Sequence, residues 1–297
     1  MDVVNLGVFS PSVLLAVAQS TGRLDAAGVQ VHQVPVPSSP AQFASLRDGA
    51  YDAVFTSPDN VLAYRILPDN PLGEMLDVEI VAGVDRGLGL CLSGRPGRTD
   101  LSGAVLGVDV PTSGFAFVAY ALLAEMGVAR EDVEIVALGS TPTRVAALVD
   151  GRCDITVLNA GNEIRARADG CVELVDVTSL GPYLGTVVAR LRQAPGGDAV
   201  DRLVAALGDT AAAIVAGALT EDAEEAAARL LTLTPEGAAE HVAVLRDPAR
   251  GLIVDGSVEV AALDTLVRLR GRFLPAPQLD GLADRFDEVV RHCALST

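Results

Sequence analysis

The feature that most constrains this chain is an internal repeat. The stretch "SSPAQFASLRDGAYDAVFTSPDN", from Ser38, aligns without a gap on "STPTRVAALVDGRCDITVLNAGN", from Ser140. Ser38 falls on Ser140, Pro40 on Pro142, Leu46 on Leu148, Asp48 and Gly49 on Asp150 and Gly151, Asp52 on Asp154, and Asn60 on Asn162, each pair 102 positions apart. One offset that preserves turn residues and apolar positions together marks a duplicated structural unit, so two similar lobes are expected.

Each copy reads as the same series of elements. "VVNLGVF" and "AVLGVDV" are β-rich runs followed by small, polar turns and Ala/Leu-rich helical stretches. "VQVHQVPV" and "VEIVAL" are second strands, and the helices after them end at Gly49 and Gly151, the usual left-handed residue past a helix C-terminus. "DAVF" and "DITVL" are third strands, apolar enough for burial on both faces of a parallel sheet. The expected fold class is α/β: two similar lobes of mostly parallel sheet flanked by helices and hinged by two crossover strands. Residues 79–94 carry the chain into the second lobe and residues 174–191 carry it back. Beyond Gln193 the periodicity turns helical as far as "LDGLADRFDEVVRHCA", and these helices are expected to pack on the first lobe. The expected boundaries are 1–86 with 187–297 for lobe 1 and 87–186 for lobe 2.

Composition removes several function classes. The 297 residues carry 22 Lys+Arg against 39 Asp+Glu, a formal charge of -17 that disfavours nucleic acid and anionic membrane surfaces as partners. No lysine is present, which removes Schiff-base and P-loop lysine chemistry. Cys91, Cys153, Cys171 and Cys293 lie far apart with no C-x-x-C spacing, so no metal site is expected and buried free thiols are the default. A Cys153–Cys171 disulfide stays open. No apolar run reaches eighteen residues, so membrane insertion is not expected. Met1 leads straight into a strand pattern, which places the protein in the cytoplasm unless a signal peptide was trimmed from the chain.

Several phrases resemble a known family. "VLLAVAQSTGRLDAAGVQVHQVPV", "SLRDGAYDAVF", "DLSGAVLGVDVPTSG", "LVDGRCDITVL" and "DGSVEVAALDTLVRLRGRF" are similar to the type 2 periplasmic binding proteins, in the branch for nitrate, taurine, alkanesulfonates and thiamine-type pyrimidines. The resemblance implies a solute-binding protein of an ABC-type uptake system whose lobes hinge shut over one small molecule and then dock on a transporter permease. No cofactor is implied. Closure by a ligand requires that it contact both lobes, because only differential affinity for the closed state shifts the population.

The candidate contacts are therefore the paired turns at the carboxyl edges of the two sheets. In the first turns these are Phe9, Ser10 and Ser12, with Ser10 expected to cap a helix starting at Pro11, and Thr112 and Ser113 with Phe115 as an apolar wall. The second turns offer Ser38, Ser39 and Thr141. The third offer Ser57, Asp59 and Asn60 in one lobe, and Asn159 and Asn162 in the other. Tyr183 lies on the return crossover, where it either touches ligand or packs in the hinge. For Ser10, Ser38, Ser39, Ser57 and Thr141 the alternative to ligand contact is simple N-capping. For Asp59 it is a carboxylate on a positive helix end, worth ~0.3–1 kcal/mol. Arg144, the nearest cation, is expected to be a solvated helix residue.

An enzyme on the same fold is the alternative, of the desulfinase, decarboxylase, dehydratase or pyrimidine-synthase type, acting on a small organic acid or heteroaromatic. The opening resembles desulfinases too, but their first-turn nucleophilic cysteine is replaced by "FSPS", and no clustered cysteine motif is present. His32 is expected inside a strand, and His241 and His292 on C-terminal helices. Cys91 has no base visible in sequence, and Asp59, Asp85 and Asp109 read more simply as solvated or capping carboxylates. No catalytic residue is assigned.

Overall fold

The computed structural model describes residues 1–98, 100–194 and 196–296. The chain begins with β1 (Asp2–Val8), α1 (Val13–Ser20), α2 (Arg23–Ala26), β2 (Val29–Pro35), α3 (Ser39–Arg47), β3 (Ala53–Thr56), α4 (Pro58–Ile66) and β4 (Val78–Gly83). It crosses to β5 (Cys91–Gly94), then repeats the pattern as β6 (Val105–Val108), α5 (Gly114–Glu125), β7 (Glu134–Ala137), α6 (Thr141–Val149), β8 (Ile155–Leu158), α7 (Asn162–Ala168) and β9 (Val172–Asp176). It returns through β10 (Val187–Leu191) and continues as α8 (Gly197–Val215), α9 (Thr220–Leu231), α10 (Pro235–Arg246), β11 (Val258–Glu259), α11 (Val260–Phe273) and β12 (Leu295–Ser296).

Two five-stranded sheets result, in the orders β2-β1-β3-β10-β4 and β7-β6-β8-β5-β9. β1 lies parallel between β2 and β3, as β6 does between β7 and β8, which is the expected βαβαβ unit twice over. Each sheet is completed by an antiparallel strand that belongs to a crossover, β10 in the first and β5 in the second. The sheets are therefore mixed, and each crossover is locked into the lobe it enters.

The repeated residues have repeated jobs. The Asp52 carboxylate accepts the Asn5 N–H at 2.8 Å while its own N–H reaches the Asn5 carbonyl at 2.9 Å. Asp154 does the same to Val105, at 2.9 and 2.8 Å. The aspartate of the repeat thus ties the third strand to the first, satisfying backbone groups that no neighbouring strand reaches. Gln42 and Arg144, also 102 positions apart, both donate to the carbonyl of the third strand in their lobe, Phe55 at 3.1 Å and Val157 at 3.2 Å.

The C-terminal helices correct part of the expectation. α8 packs against α1 and the first sheet and α9 against α1, but α10 reaches α7 of the second lobe and α11 lies between α4 and α5. The last expected helix is absent: residues 277–288 form two short 3₁₀ segments, kinked at Arg285, and His292 sits in a turn. The left-handed Gly281 and the non-helical backbone at Arg285 both fall inside the expected stretch and interrupt a continuous α-helix. All four cysteines are free, and Cys153 and Cys171 share a small apolar cluster without bonding. Among the described residues no single helix is long and apolar enough to cross a membrane.

Candidate functional site

The six strand-to-helix turns of the parallel units lie at the carboxyl ends of their strands, and the α4 and α5 turns meet across the lobes at Asp59 and Gly114. Four of the six are closed by serine caps. Ser12 accepts the Leu15 N–H at 3.3 Å, Ser38 that of Ala41 at 3.4 Å, Ser57 that of Asp59 at 3.3 Å, and Ser113 that of Ala116 at 3.1 Å. Ser10 is not the cap of its helix. Ser12 is, because its extended backbone precedes the first helical residue, Val13, and leaves Pro11 outside. At α6 the serine is diverted: the Ser140 hydroxyl pairs with Thr143 at 2.9 Å and makes no cap bond.

The remaining expected residues divide by exposure. Phe9 is 40% exposed and Thr112 is exposed, with Ser10 half-buried. Ser39 accepts from the Tyr64 hydroxyl at 3.4 Å, and Thr141 accepts from Arg144 at 3.0 Å. Phe115 packs against the core. Asn60 donates to Thr56 at 3.1 Å, Asn162 to the Asn159 carbonyl at 2.9 Å, and Asn159 to the Gly87 carbonyl at 3.4 Å, so these three amides brace their turns. Val110, in a first turn and outside the expected set, is 50% exposed.

Asp59 does not present a free carboxylate. Arg270 of α11 donates to both of its oxygens, from Nε and from a terminal nitrogen, each at 2.6 Å, and the two residues are 1% and 4% exposed. Burial alone would lower the Arg270 guanidinium's pKa, but the Asp59 charge outweighs it and leaves the pKa raised. Arg270 is the residue that sequence reasoning misses. Its signal is present: it continues the apolar stripe of Leu263 and Leu266 at helical spacing, where a charge needs a partner.

Arg144 is likewise buried, at 2% exposure, rather than solvated. Its guanidinium donates to the Gly139 carbonyl at 2.6 Å, to Thr141 and to Val157, while Nε has no partner. Burial pushes its pKa down and the Asp109 charge partly restores it.

Two further buried groups sit where the lobes meet. Asp85, on the first crossover, accepts from the Gly87 N–H at 2.8 Å and from the Thr186 N–H on the second at 3.2 Å, which pins the crossovers together. Burial raises its pKa to about 6 despite those bonds. Tyr183 is buried against Gly87 and Val177, its hydroxyl made a weaker acid first by burial and then by Asp59 and Asp85. It packs in the hinge.

On α7, Glu163 accepts the Gly161 N–H at 3.2 Å through Oε1, while Oε2 has no partner, and burial raises its pKa to about 8. His241 of α10 faces Gly161 with Nδ1 unpartnered, its pKa lowered by burial to about 4.

Cys91 and Cys153 are poor nucleophiles where they sit. Burial drives the Cys91 thiol pKa far up and that of Cys153 to about 11, so neither supplies a thiolate near neutral pH. Among the described residues no group of three His, Cys, Asp or Glu side chains is placed to hold a metal ion. A cavity of about 240 Å³ lies behind the first sheet's edge, between α8, β4 and residues 253–256.

Neither a protein-family model nor a curated protein sequence matches the chain. Its fold does match solved structures. The alkanesulfonate-binding protein of Xanthomonas axonopodis pv. citri, solved bound to MOPS, is similar with a TM-score of 0.74 at 14% identity, over 100% of this chain and 98% of that one. The periplasmic nitrate-binding protein of Synechocystis PCC 6803 is similar with a TM-score of 0.76 at 12% identity, over 98% and 86%. A Candida albicans protein described as founding a new family with the generic periplasmic binding protein fold is similar with a TM-score of 0.71 at 15% identity, over 98% and 96%. The chain has the periplasmic binding protein fold.

Proposed function

We propose that the chain is a small-molecule solute-binding protein that holds its ligand between the lobes and hands it to an ABC-type transporter. The observation that carries this reading is the pairing of the turns. Equivalent strand-to-helix turns from two duplicated lobes line one cleft on this reading, and the chain passes between the lobes at crossovers pinned by Asp85. Lobe 1 is then residues 1–86 with 187–297, lobe 2 is residues 87–186, and the protein works outside the cytoplasm. Its contact set is drawn from Phe9, Ser10, Ser12, Ser38, Ser39, Thr112, Ser113 and Thr141. Phe9 and Val110 offer apolar surface beside hydroxyls and helix N-terminal N–H groups, which suits a small organic molecule with an accepting or anionic group. Asp59, neutralised by Arg270, does not oppose an anion.

A thermal-shift screen of small organic acids, sulfonates and heteroaromatics tests the reading, with mass spectrometry of each stabilising compound after incubation. A raised Tm with the compound recovered unchanged is expected. Conversion of the compound by the protein would establish the enzyme reading instead.

A further inference from the structure

We propose that Asp59, Arg270 and the first turn of α5 form a latch that holds the lobes together through contacts of the chain with itself. One half of the latch belongs to the first lobe. Arg270 on α11 grips Asp59 at the start of α4 through two hydrogen bonds of 2.6 Å. The other half is α5, which begins the helical part of the second lobe. A Cβ placed on Gly114, its first residue, would lie 2.7 Å from the Asp59 Cβ and 2.8 Å from its Oδ2, so only a glycine lets the carboxylate approach the helix end this closely. The positive end of α5 favours that carboxylate.

The rest of the junction is aromatic. The Arg270 guanidinium lies 5.3 Å from the centre of the Phe117 ring. Phe273, nearly one turn further along α11, stands 6.0 Å from Phe117 and 5.4 Å from Tyr120. Arg268 adds a hydrogen bond of 3.1 Å to the Leu180 carbonyl on the return path of the second lobe.

The division of labour follows from the energetics of buried charge. A buried ion pair roughly breaks even against its own desolvation, so the aromatic contacts supply attraction and the pair supplies register. Opening the lobes wets Asp59 and Arg270 and turns them into a surface pair of small worth. Closure is therefore favoured by the chain itself, and a solute that binds the closed form meets a population already biased toward it.

The latch rests on the two-lobe hinge reading but not on any particular ligand, so it is tested with no solute added. The variant is Gly114→Ala, whose new methyl collides with Asp59 only when the lobes are together and sits at an ordinary helix start when they are apart. Small-angle scattering should give wild type the radius of gyration of the closed arrangement and Gly114→Ala a larger one, with cooperative unfolding retained. Phe273→Ala, which removes the aromatic contact without touching the ion pair, should open the molecule in the same direction and serves if Gly114→Ala fails to fold. Folded variants that both scatter like wild type would overturn the latch, as would a wild type already open. Failure of the solute screen leaves this outcome readable on its own.

Discussion

The wild-type protein is expected to lose stability between pH 6.5 and 8, and replacing Glu163 with glutamine should abolish that loss. Glu163 is 7% exposed, takes one hydrogen bond from Gly161, leaves Oε2 unpartnered, and has its pKa raised by burial from 4.5 to about 8. Arg167 lowers that value slightly and Glu173 raises it. At the acid end of this window the folded protein keeps the Glu163 proton and the unfolded chain has lost it, so the folded state binds one proton more, a difference that shrinks to half a proton at pH 8. Stability then falls as pH rises, by ~1.4 kcal/mol per pH unit. Because the slope halves as pH reaches the folded pKa, the loss from 6.5 to 8 is about 1.6 kcal/mol, or roughly 3–6 °C in Tm for a protein near this size. The glutamine in Glu163→Gln mimics the protonated acid at every pH. Asp85, whose pKa rises only to about 6, completes most of its effect below the window, and His241, lowered to about 4, acts as pH falls below 6.5. Differential scanning calorimetry of both proteins at pH 6.5, 7.2 and 8 measures the effect. Parallel Tm curves would refute the assignment of a buried, protonated Glu163.

Two other outcomes follow from the fold. Asp154→Ala removes the acceptor for the Val105 N–H and should lower stability in urea by ~1–3 kcal/mol, with Asp52→Ala costing a similar amount in the first lobe; a loss below ~0.5 kcal/mol would contradict the strand tie. Gly185→Ala places a methyl 2.2 Å from the Asp85 Oδ1 and 2.5 Å from the Gly87 nitrogen, so the pinned crossovers must separate, at ~1–3 kcal/mol. A neutral Gly185→Ala would show that the hinge yields freely.

The duplicated architecture is legible because it is written in local chemistry. Prolines at helix starts and glycines at helix ends are demanded by backbone geometry within a few residues, and the aspartate shows through its constant offset although the strands it ties, at Asn5 and Val105, lie 47 and 49 positions away. The caps at Ser38 and Ser57 can be read for the same reason. Ser10 reads as a cap in place of Ser12 because two serines flank Pro11 and only the backbone decides between them. Arg270 escapes for a different reason: whether an arginine on an apolar stripe is buried depends on its partner, which here lies 211 positions away at Asp59. Arg144 is buried by nearer groups, the Gly139 and Val157 carbonyls and Thr141, whose convergence on one guanidinium is set by the fold of the turn. The Asp59 carboxylate, which in sequence bears on ligand charge, is neutralised by that distant partner. The C-terminal stretch looks periodic, yet a left-handed glycine and a kink at Arg285 leave it in 3₁₀ turns that periodicity alone does not forecast.

Hydrogen–deuterium exchange of the protein with and without a solute from the screen tests the central claim most directly. A ligand held between the lobes slows exchange in the turns of both at once, around residues 10–15 and 38–42 in the first lobe and 112–116 and 140–144 in the second. Protection confined to one lobe, or centred on residues 204–209 and 253–256 beside the α8 cavity, would contradict the account.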